Sequence, residues 1–291
     1  MNILTFLNQN TKSLLGKTVA ISGSTGGIGK ELCFYLARLG AKLILLDRSI
    51  AKQNGLIKAL NEKFNNLTTY TIPLDLSDMA TVKSACEQLK DLSPDYIILN
   101  AGAYSVPRFK CSTGLDNVFQ INFAAPYYIV KKLLPTLNKN GGRVVAVSSI
   151  AHNYSVTDRD DIDFSRRERA SLVYGNAKRF LTFALYGLFE NNDGATLAIT
   201  HPGITLTGIT AHYPKMVFAL IKYPMKIIFH SPKRAALSVL QGLFNETKKG
   251  SWIGPKYFNI WGYPKAKKLK TCSDDEAGWI YKKAEEIYNK M

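Results

Sequence analysis

Four tyrosine–lysine pairs in the sequence have a spacing that could support acid–base chemistry. They are Tyr127/Lys131, Tyr128/Lys132, Tyr174/Lys178 and Tyr263/Lys267. Residues four apart lie on one face of an α-helix, so each pair could bring a phenol close to an ammonium group. A tyrosine has a reference pKa of about 10, and a nearby positive charge lowers it towards neutrality. Because this spacing also arises by chance, the elements that carry each pair must decide among the four.

Short apolar runs alternate with longer helical patterns along most of the chain. The runs predicted as strands are Thr18–Ser22, Lys42–Asp47, Thr69–Leu74, Tyr96–Leu99, Arg143–Ser148 and Thr196–Thr200. The predicted helices between them are Lys30–Leu39, Ile50–Phe64, Asp78–Leu89, Leu115–Leu137 and Leu172–Glu190. Most of the strands are apolar on both faces, which is typical of a parallel sheet covered on both sides. The pattern predicts an α/β fold, a single domain with a doubly wound, Rossmann-type parallel sheet that binds its ligand beyond the carboxyl ends of the strands.

A glycine-rich loop, Ser22–Gly29, follows the first predicted strand and leads into a helix. Glycines permit a tight turn and let backbone N–H groups approach the pyrophosphate of a dinucleotide at a helix N-terminus. A plain strand-to-helix turn could have the same composition. The nucleotide-binding interpretation is the favoured one of the two.

The glycine spacing x-G-x-x-x-G-I-G resembles that of the short-chain dehydrogenase/reductase family, in which this loop binds NAD(P). Three more segments match family motifs in chain order, each at the end of a predicted strand: Asp75-Leu76, Asn100-Ala101-Gly102 and Pro202–Thr207. The resemblance covers about Gly16 to Gly254. It implies that the cofactor is bound by Gly23, Ser24, Thr25, Gly27, Ile28, Gly29, Asp47, Arg48, Asp75, Leu76, Asn100, Ala101, Gly102, Tyr174, Lys178, Pro202, Gly203, Ile204 and Thr207.

The family's catalytic tetrad, Asn, Ser, Tyr and Lys, selects one of the four pairs by position. Tyr174/Lys178 lies at the start of the helix after the strand Arg143–Ser148, where the family places its pair. Ser149 and Asn122 occupy the positions of the other two members. The resemblance implies that Tyr174 exchanges a proton with the substrate oxygen, that Ser149 hydrogen-bonds the same oxygen, and that Lys178 lowers the pKa of Tyr174 and holds the ribose. Asn122 would hold a water that relays protons to Lys178.

With all four positions filled, we expect an NAD(P)-dependent oxidoreductase, a short-chain alcohol dehydrogenase or carbonyl reductase. A non-catalytic dinucleotide sensor or scaffold on the same fold is the alternative. Ser149 and Tyr174 are 25 positions apart, and the intervening Asp158–Phe164 and His152 resemble the retinol dehydrogenase and WW-domain oxidoreductase branch. That likeness implies a lipophilic alcohol or carbonyl substrate. His152 and His201 are interpreted as structural residues.

The cofactor preference rests on Asp47 and Arg48, which end the second predicted strand. A carboxylate at position 47 would accept hydrogen bonds from the adenosine ribose and repel a 2′-phosphate. Arg48 could instead pair with that phosphate. The two signals conflict, and we expect NAD rather than NADP because a partly buried carboxylate cannot avoid the phosphate, whereas a surface arginine can turn away.

Composition limits the remaining possibilities. The four cysteines lie far apart, which predicts no metal site or disulfide framework and fits a cytoplasmic protein. The N-terminus lacks the pattern of a signal peptide. The net charge of +16 is spread along the chain without a nucleic-acid-binding motif, so we expect no nucleic-acid partner.

Two segments predict contacts beyond the active site. A variable substrate lid is expected at about residues 208–232, followed after residue 254 by a C-terminal extension to residue 291. Within the lid, Tyr213–His230 combines apolar residues with lysines, which would also suit weak contact with a membrane surface. The predicted helix Leu172–Glu190 is apolar nearly all round, which indicates burial against a second subunit and hence a homo-oligomer.

Overall fold

A computed structural model describes residues 2–204, 231–269 and 272–291 and shows one eight-stranded sheet surrounded by helices. The strand order is β3-β2-β1-β4-β5-β6-β7-β8. Every neighbouring pair is parallel except β7 and β8, which form an antiparallel hairpin at one end of the sheet. The predicted doubly wound α/β fold is confirmed.

The strands are β1 Thr18–Ser22, β2 Lys42–Asp47, β3 Thr69–Pro73, β4 Tyr96–Leu99, β5 Arg143–Val147, β6 Thr196–Thr200, β7 Ser251–Tyr257 and β8 Trp261–Lys268. The helices are α1 Ile3–Asn10, α2 Gly27–Arg38, α3 Ile50–Asn61, α4 Met79–Leu92, α5, α6 Ala170–Phe189, α7 Pro232–Phe244 and α8 Asp274–Lys290. Helix α5 is composite: an α-helical turn Asn117–Phe119, a π-helical segment Gln120–Ala124 and the α-helical Ala125–Lys139. A short 3-10 helix, Ile150–Tyr154, follows β5.

Alternating strand residues divide the core between the two faces of the sheet. On one face, Ile44, Ile97 and Val144 pack under α4, α5, α6 and α8. On the other face, Ile21 and Leu45 pack under α1, α2, α3 and α7. Because both faces are covered, the central strands are apolar throughout, which is why the sequence identified them.

The chain reverses its direction across the sheet between β3 and β4, so that β4 lies beside β1. The helices that follow β1 and β4 therefore lie on opposite faces. A crevice opens at such a switch point beyond the carboxyl ends of the strands. The glycine loop and Asn100-Ala101-Gly102 both lie at this edge.

The C-terminal helix α8 corrects one interpretation of the sequence. It packs along α6 so closely that a Cβ atom at Gly187 would lie 2.5 Å from the ring of Tyr281. Ile280 and Ala284 of α8 are fully buried in the same core as Phe180 of α6. The apolar surface of α6 is thus covered within one chain, and its composition no longer indicates a second subunit at this face.

Two predicted features lie outside the described residues: Thr207 and nearly all of the lid, including Tyr213–His230. Within the described part of the chain, no helix is both long and apolar enough to cross a bilayer.

Candidate active site

The glycine loop closes against its own helix and against the end of β4. Gly23 has a φ of +67°, and a Cβ atom at Gly29 would lie only 2.0 Å from the Gly23 carbonyl oxygen. The Asn100 side-chain amide donates to the carbonyl oxygens of Ser22 and Gly23, each at 3.1 Å. Only glycine allows this approach, and Asn100 fixes the loop from the neighbouring strand.

Asp47 is bound to the same loop. Its carboxylate accepts hydrogen bonds from the Ser24 hydroxyl at 2.5 Å and from the Thr25 backbone N–H at 2.8 Å. The Thr25 hydroxyl donates to its other oxygen at 3.1 Å. Asp47 therefore holds the shape of the loop, a role that the sequence did not predict. Arg48 beside it is exposed and pairs with no carboxylate in the described part of the chain.

The other predicted cofactor residues follow β3 and β6 or begin α2. Asp75 turns its carboxylate back to Ser77, while the Leu76 carbonyl accepts from Gln120 at 3.1 Å. Beyond β6, Gly203 has a φ of +84°, with Pro202 buried and Ile204 half-buried. Gly27 and the buried Ile28 begin helix α2, whose N-terminus faces the loop.

This edge of the sheet fits the pyrophosphate of a dinucleotide. Because a Cβ atom at Gly29 would collide with the Gly23 carbonyl, the glycines keep the loop tight against α2. The N-terminus of α2 then offers its unpaired N–H groups to a pyrophosphate.

Tyr174 and Ser149 meet at the carboxyl edge of β5. Ser149 directly follows the buried Ser148, whose hydroxyl is engaged by Thr182 at 2.7 Å, so only Ser149 of the pair can turn towards a substrate. The Tyr174 phenol forms a hydrogen bond with the Ser149 side chain. The ring of Tyr104 packs edge-on against that of Tyr174, with centroids 5.3 Å apart.

Lys178 and Asn122 complete the cluster from two other elements. The Lys178 ammonium is buried, donates to the Val147 carbonyl at 2.9 Å and lies 5.6 Å from the Tyr174 ring centroid. Asn122 lies in the π-helical segment of α5, where its amide donates to the Ala103 and Val118 carbonyls, both at 2.8 Å. A Cβ atom at Gly102 would lie 2.7 Å from Asn122 Oδ1 and 3.6 Å from Lys178 Nζ. A side chain at Gly102 would therefore crowd Asn122 and contact Lys178.

Burial controls the pKa values of the two ionisable groups. It raises the pKa of Tyr174 to about 12, with a smaller contribution from Tyr104, although the hydrogen bond with Ser149 acts in the opposite direction. It lowers the pKa of Lys178 to about 7. Desolvation outweighs the Ser149 hydrogen bond, so the pKa of Tyr174 in the protein alone is raised, opposite to the lowering that the resemblance implies.

The other three tyrosine–lysine pairs have structural partners. The Tyr127 hydroxyl and the Lys131 ammonium both bind Glu285 of α8. The Tyr128 ring packs against Tyr288 of the same helix. Tyr263 lies in the hairpin, stacked on Phe6 at 4.9 Å.

The segment Asp158–Phe164, referred to below as the insertion, lies beside Tyr174. Asp163 accepts a hydrogen bond from the Asp116 backbone N–H at 2.7 Å. Arg108 pairs with Asp116 at 2.8 Å and also donates to the Phe164 carbonyl at 2.8 Å. The buried Phe164 packs in a small apolar cluster with Val118, Val173 and Tyr174. The insertion is thus tied to the loop before α5, and its apolar side lies beside the tetrad.

The histidines that were interpreted as structural are buried around one tryptophan. His201 stacks on Trp252 at 4.9 Å, and His152 meets the same ring edge-on at 5.2 Å. Burial lowers the pKa of His152 to about 4 and that of His201 to about 3. Both are therefore neutral near pH 7. The His152 Nδ1 atom lies 2.5 Å from the Ser149 carbonyl oxygen, so this packing also supports the loop that carries Ser149.

Arg179, which the sequence did not single out, connects this loop to α8. Its guanidinium binds both carboxylate oxygens of Glu276, at 2.9 and 2.7 Å, and donates to the His152 carbonyl at 3.2 Å. Burial acts to raise the pKa of Glu276, but the bonds from Arg179 and Thr157 outweigh it and hold that pKa below its usual value. The position of Arg179 directly after Lys178 gave no signal, since its partner lies 97 residues further along.

Known proteins resemble this chain in sequence and in fold. Residues 17–159 match the family model described as short chain dehydrogenase. A short-chain dehydrogenase/reductase of Armillaria gallica is 30% identical over 241 residues, which is 75% of each chain. Retinol dehydrogenase 12 of Mus musculus is 27% identical over 271 residues, covering 88% of this chain and 83% of its own length.

Among solved structures, a putative uncharacterized protein from Mycobacterium paratuberculosis superimposes with a TM-score of 0.77 at 21% identity. The match covers 97% of this chain and 96% of that one. With the glycine loop and crevice described above, these matches show that the chain belongs to the short-chain dehydrogenase/reductase family and is an NAD(P)-dependent oxidoreductase acting on an alcohol or carbonyl group.

Proposed function

We propose that the protein interconverts a lipophilic alcohol and its carbonyl compound, with Tyr174 as the group that exchanges the proton. The observation that carries this proposal is the convergence of Tyr174, Ser149, Lys178 and Asn122 from three separate elements on one edge of the sheet. NAD(P), when bound in the crevice, supplies or accepts the hydride.

The four residues have distinct roles in this proposal. Because its pKa is about 12, Tyr174 is protonated at neutral pH and can donate to a carbonyl oxygen that is being reduced. Ser149 donates a second hydrogen bond to the same oxygen. Lys178, anchored by Val147, has further N–H groups to offer the cofactor ribose. Asn122, held by two carbonyls, supports a water that returns a proton towards Lys178.

The cofactor preference that we propose is NAD. The Asp47 carboxylate lies at the end of β2, held there by Ser24 and Thr25, and its negative charge opposes a 2′-phosphate. Arg48 is exposed and can turn away from the crevice.

A lipophilic substrate is supported by the surroundings of Tyr174. The cluster of Val118, Phe164 and Val173, together with the ring of Tyr104, gives one side of the site an apolar lining. The likeness to retinol dehydrogenase 12 also supports a lipophilic substrate.

Cellular location and self-association are proposed from the sequence together with the packing of the chain. We propose a cytoplasmic protein, consistent with its four free cysteines, of which Cys33, Cys86 and Cys111 are buried. If copies of the chain associate, they do so through a surface other than the α6 face that α8 covers. The lid at about residues 208–232 stays a prediction of the sequence.

The proposed function is tested by cofactor oxidation and reduction with a panel of hydrophobic ketones, aldehydes and alcohols, with NAD(H) and NADP(H) in parallel. Tyr174→Phe should lower kcat about 100-fold or more, since it removes a general acid, while dinucleotide affinity stays unchanged. Tyr128→Phe is the matched control, because this ring packs on α8 instead of the tetrad, and it should keep its activity.

A Tyr174→Phe variant that keeps a tenth or more of the wild-type rate would refute the role of Tyr174. Dinucleotide binding without turnover on any substrate would favour the non-catalytic alternative.

A further inference from the structure

The tip of the β7–β8 hairpin exposes aromatic side chains that nothing in the reaction requires. Three residues, Phe258 to Ile260, connect the paired Tyr257 and Trp261. Phe258 is 81% exposed and Tyr257 is 53% exposed. Trp261 meets the Phe258 ring edge-on at 6.3 Å.

The backbone conformation makes Phe258 an unfavourable choice for this turn. Its φ is +52°, in the left-handed region that bulky side chains rarely adopt, and Asn259 follows at +59°. Asparagine or glycine would occupy the first position with less strain. A residue that costs strain and also leaves a phenyl ring in water indicates that the ring is buried against a partner.

The hairpin is also strongly basic. Four lysines and no acidic residue occur from Ser251 to Lys268. Near the tip, Lys256 lies 5.0 Å over the Tyr257 ring and is exposed, as is Lys265 on β8. Lys267 is different, since it donates to Asn259 Oδ1 at 2.9 Å and stabilises the turn.

The tip lies at the same edge of the sheet as the active site. β7 runs parallel to β6, with Ile253 paired to Thr200, so its last residues extend beyond the carboxyl end of β6. The Asn259 carbonyl lies 3.2 Å from His201 Nε2, directly before Pro202-Gly203.

We propose that this tip, Lys256–Trp261 with Lys265, docks on an anionic lipid surface. Aromatic side chains favour the interface between headgroups and acyl chains, and lysines next to them are attracted to anionic headgroups. Such a contact would turn the carboxyl edge of the sheet towards the membrane, where lipophilic compounds are dissolved. The contact is independent of the proposed reaction, because it needs neither cofactor nor substrate.

A nucleic acid would also attract the lysines, but it does not account for the strained and exposed Phe258. Single-stranded nucleic acids stack their bases on aromatic platforms in a groove. Here the aromatic residues lie at the end of a projecting turn, a shape that suits insertion into a lipid interface.

The test is co-sedimentation of the full chain with vesicles of phosphatidylcholine alone or mixed with phosphatidylserine. We expect binding to the mixed vesicles that is lost at high salt. Phe258→Asn should weaken vesicle binding about tenfold or more, since it removes the phenyl group that inserts into the lipid interface. Because asparagine suits the left-handed backbone, this variant should fold at least as well as the wild type. Lys256→Gln/Lys265→Gln should also weaken binding.

Matched controls distinguish binding through the tip from binding through exposed apolar or positively charged residues elsewhere on the protein. Leu15 is 83% exposed and lies before β1 at the opposite edge of the sheet, so Leu15→Asn should leave binding unchanged. Lys42→Gln/Lys83→Gln removes two positive charges from exposed positions away from the tip, and this double variant should also leave binding unchanged.

Equal effects of Phe258→Asn and Leu15→Asn would overturn the proposal, as would a wild type that does not sediment with anionic vesicles. So would wild-type self-association that Phe258→Asn abolishes, which would identify a second copy as the partner. Tip-dependent binding to an oligonucleotide with no vesicle binding would identify a nucleic acid instead.

Discussion

At the scale of single residues, Asp47 combines a charge with a scaffold role. Its carboxylate holds Ser24 and Thr25 of the glycine loop by three hydrogen bonds. We propose that its negative charge also selects against a 2′-phosphate on the adenosine ribose. Substitutions that keep or remove the hydrogen-bond acceptors can separate these effects.

We expect Asp47→Asn to raise the affinity for NADP relative to NAD by about tenfold, which corresponds to removing an unfavourable charge contact of about 1.4 kcal/mol. The amide oxygen can still accept from the loop. Asp47→Ala should shift the ratio similarly but weaken both cofactors, because the loop loses its support.

Dissociation constants from nucleotide fluorescence titration measure both effects. Asp95→Asn is the control, since Asp95 binds Lys17 and the Thr18 N–H at the start of β1. An unchanged ratio in Asp47→Asn would mean that the carboxylate does not meet the ribose.

Tyr174 was selected among the four candidate tyrosines through the resemblance, which places the pair at the start of the helix after β5, and its catalytic role stays a prediction. The upward direction of its pKa shift was not predicted. That direction depends on how much of the phenol is desolvated, and burial depends on Tyr104 and on the insertion, which come from distant parts of the chain.

At the scale of elements, the contact between α6 and α8 supports the active site from behind. Arg179 is buried in α6, Glu276 lies in the first turn of α8, and the same guanidinium holds the His152 carbonyl in the loop after Ser149. The π-helical segment of α5 has a comparable role on the other side, since it directs Asn122 towards Gly102 and Lys178.

We expect Glu276→Gln to destabilise the fold by about 2–3 kcal/mol, because it leaves the Arg179 charge buried without a partner. Urea unfolding measures this loss. Asp275→Asn is a matched control one residue earlier, where the carboxylate is exposed, and it should change stability by less than about 0.5 kcal/mol. Comparable losses in the two variants would show that the ion pair contributes little.

The predicted strands agree closely with the structure because each is a short apolar run between turn residues. β7 and β8 were missed, since β7 contains Gly254 and Pro255, and β8 contains Gly262, Pro264 and three lysines. Helix α8 was missed because its buried residues, Ile280 and Ala284, are few among many charged ones. The packing of α8 against α6 shows that this helix covers the apolar face of α6.

At the scale of the whole molecule, the two buried histidines couple stability to pH. Their folded-state pKa values of about 4 and 3 lie below the reference of about 6.5. As the pH falls below 6.5, the unfolded chain takes up protons that the folded protein does not, so the free energy of unfolding decreases.

Thermal unfolding at pH 7 and pH 5 should therefore show a lower midpoint at the lower pH, with a loss of up to about 1.4 kcal/mol per pH unit for each histidine. His201→Phe keeps a ring against Trp252 and should reduce the difference between the two midpoints. A variant with the full wild-type difference would place the acid sensitivity elsewhere.

The covering of α6 by α8 also has a consequence for synthesis. A ribosome completes α6, with Tyr174 and Lys178, long before it reaches Asp274, where α8 begins. During that interval the apolar face around Phe180 has no cover, and a nascent chain in this state is a substrate for chaperones and prone to aggregate. Only when α8 has emerged can it close this face and, through Glu276 and Arg179, support the loop after Ser149.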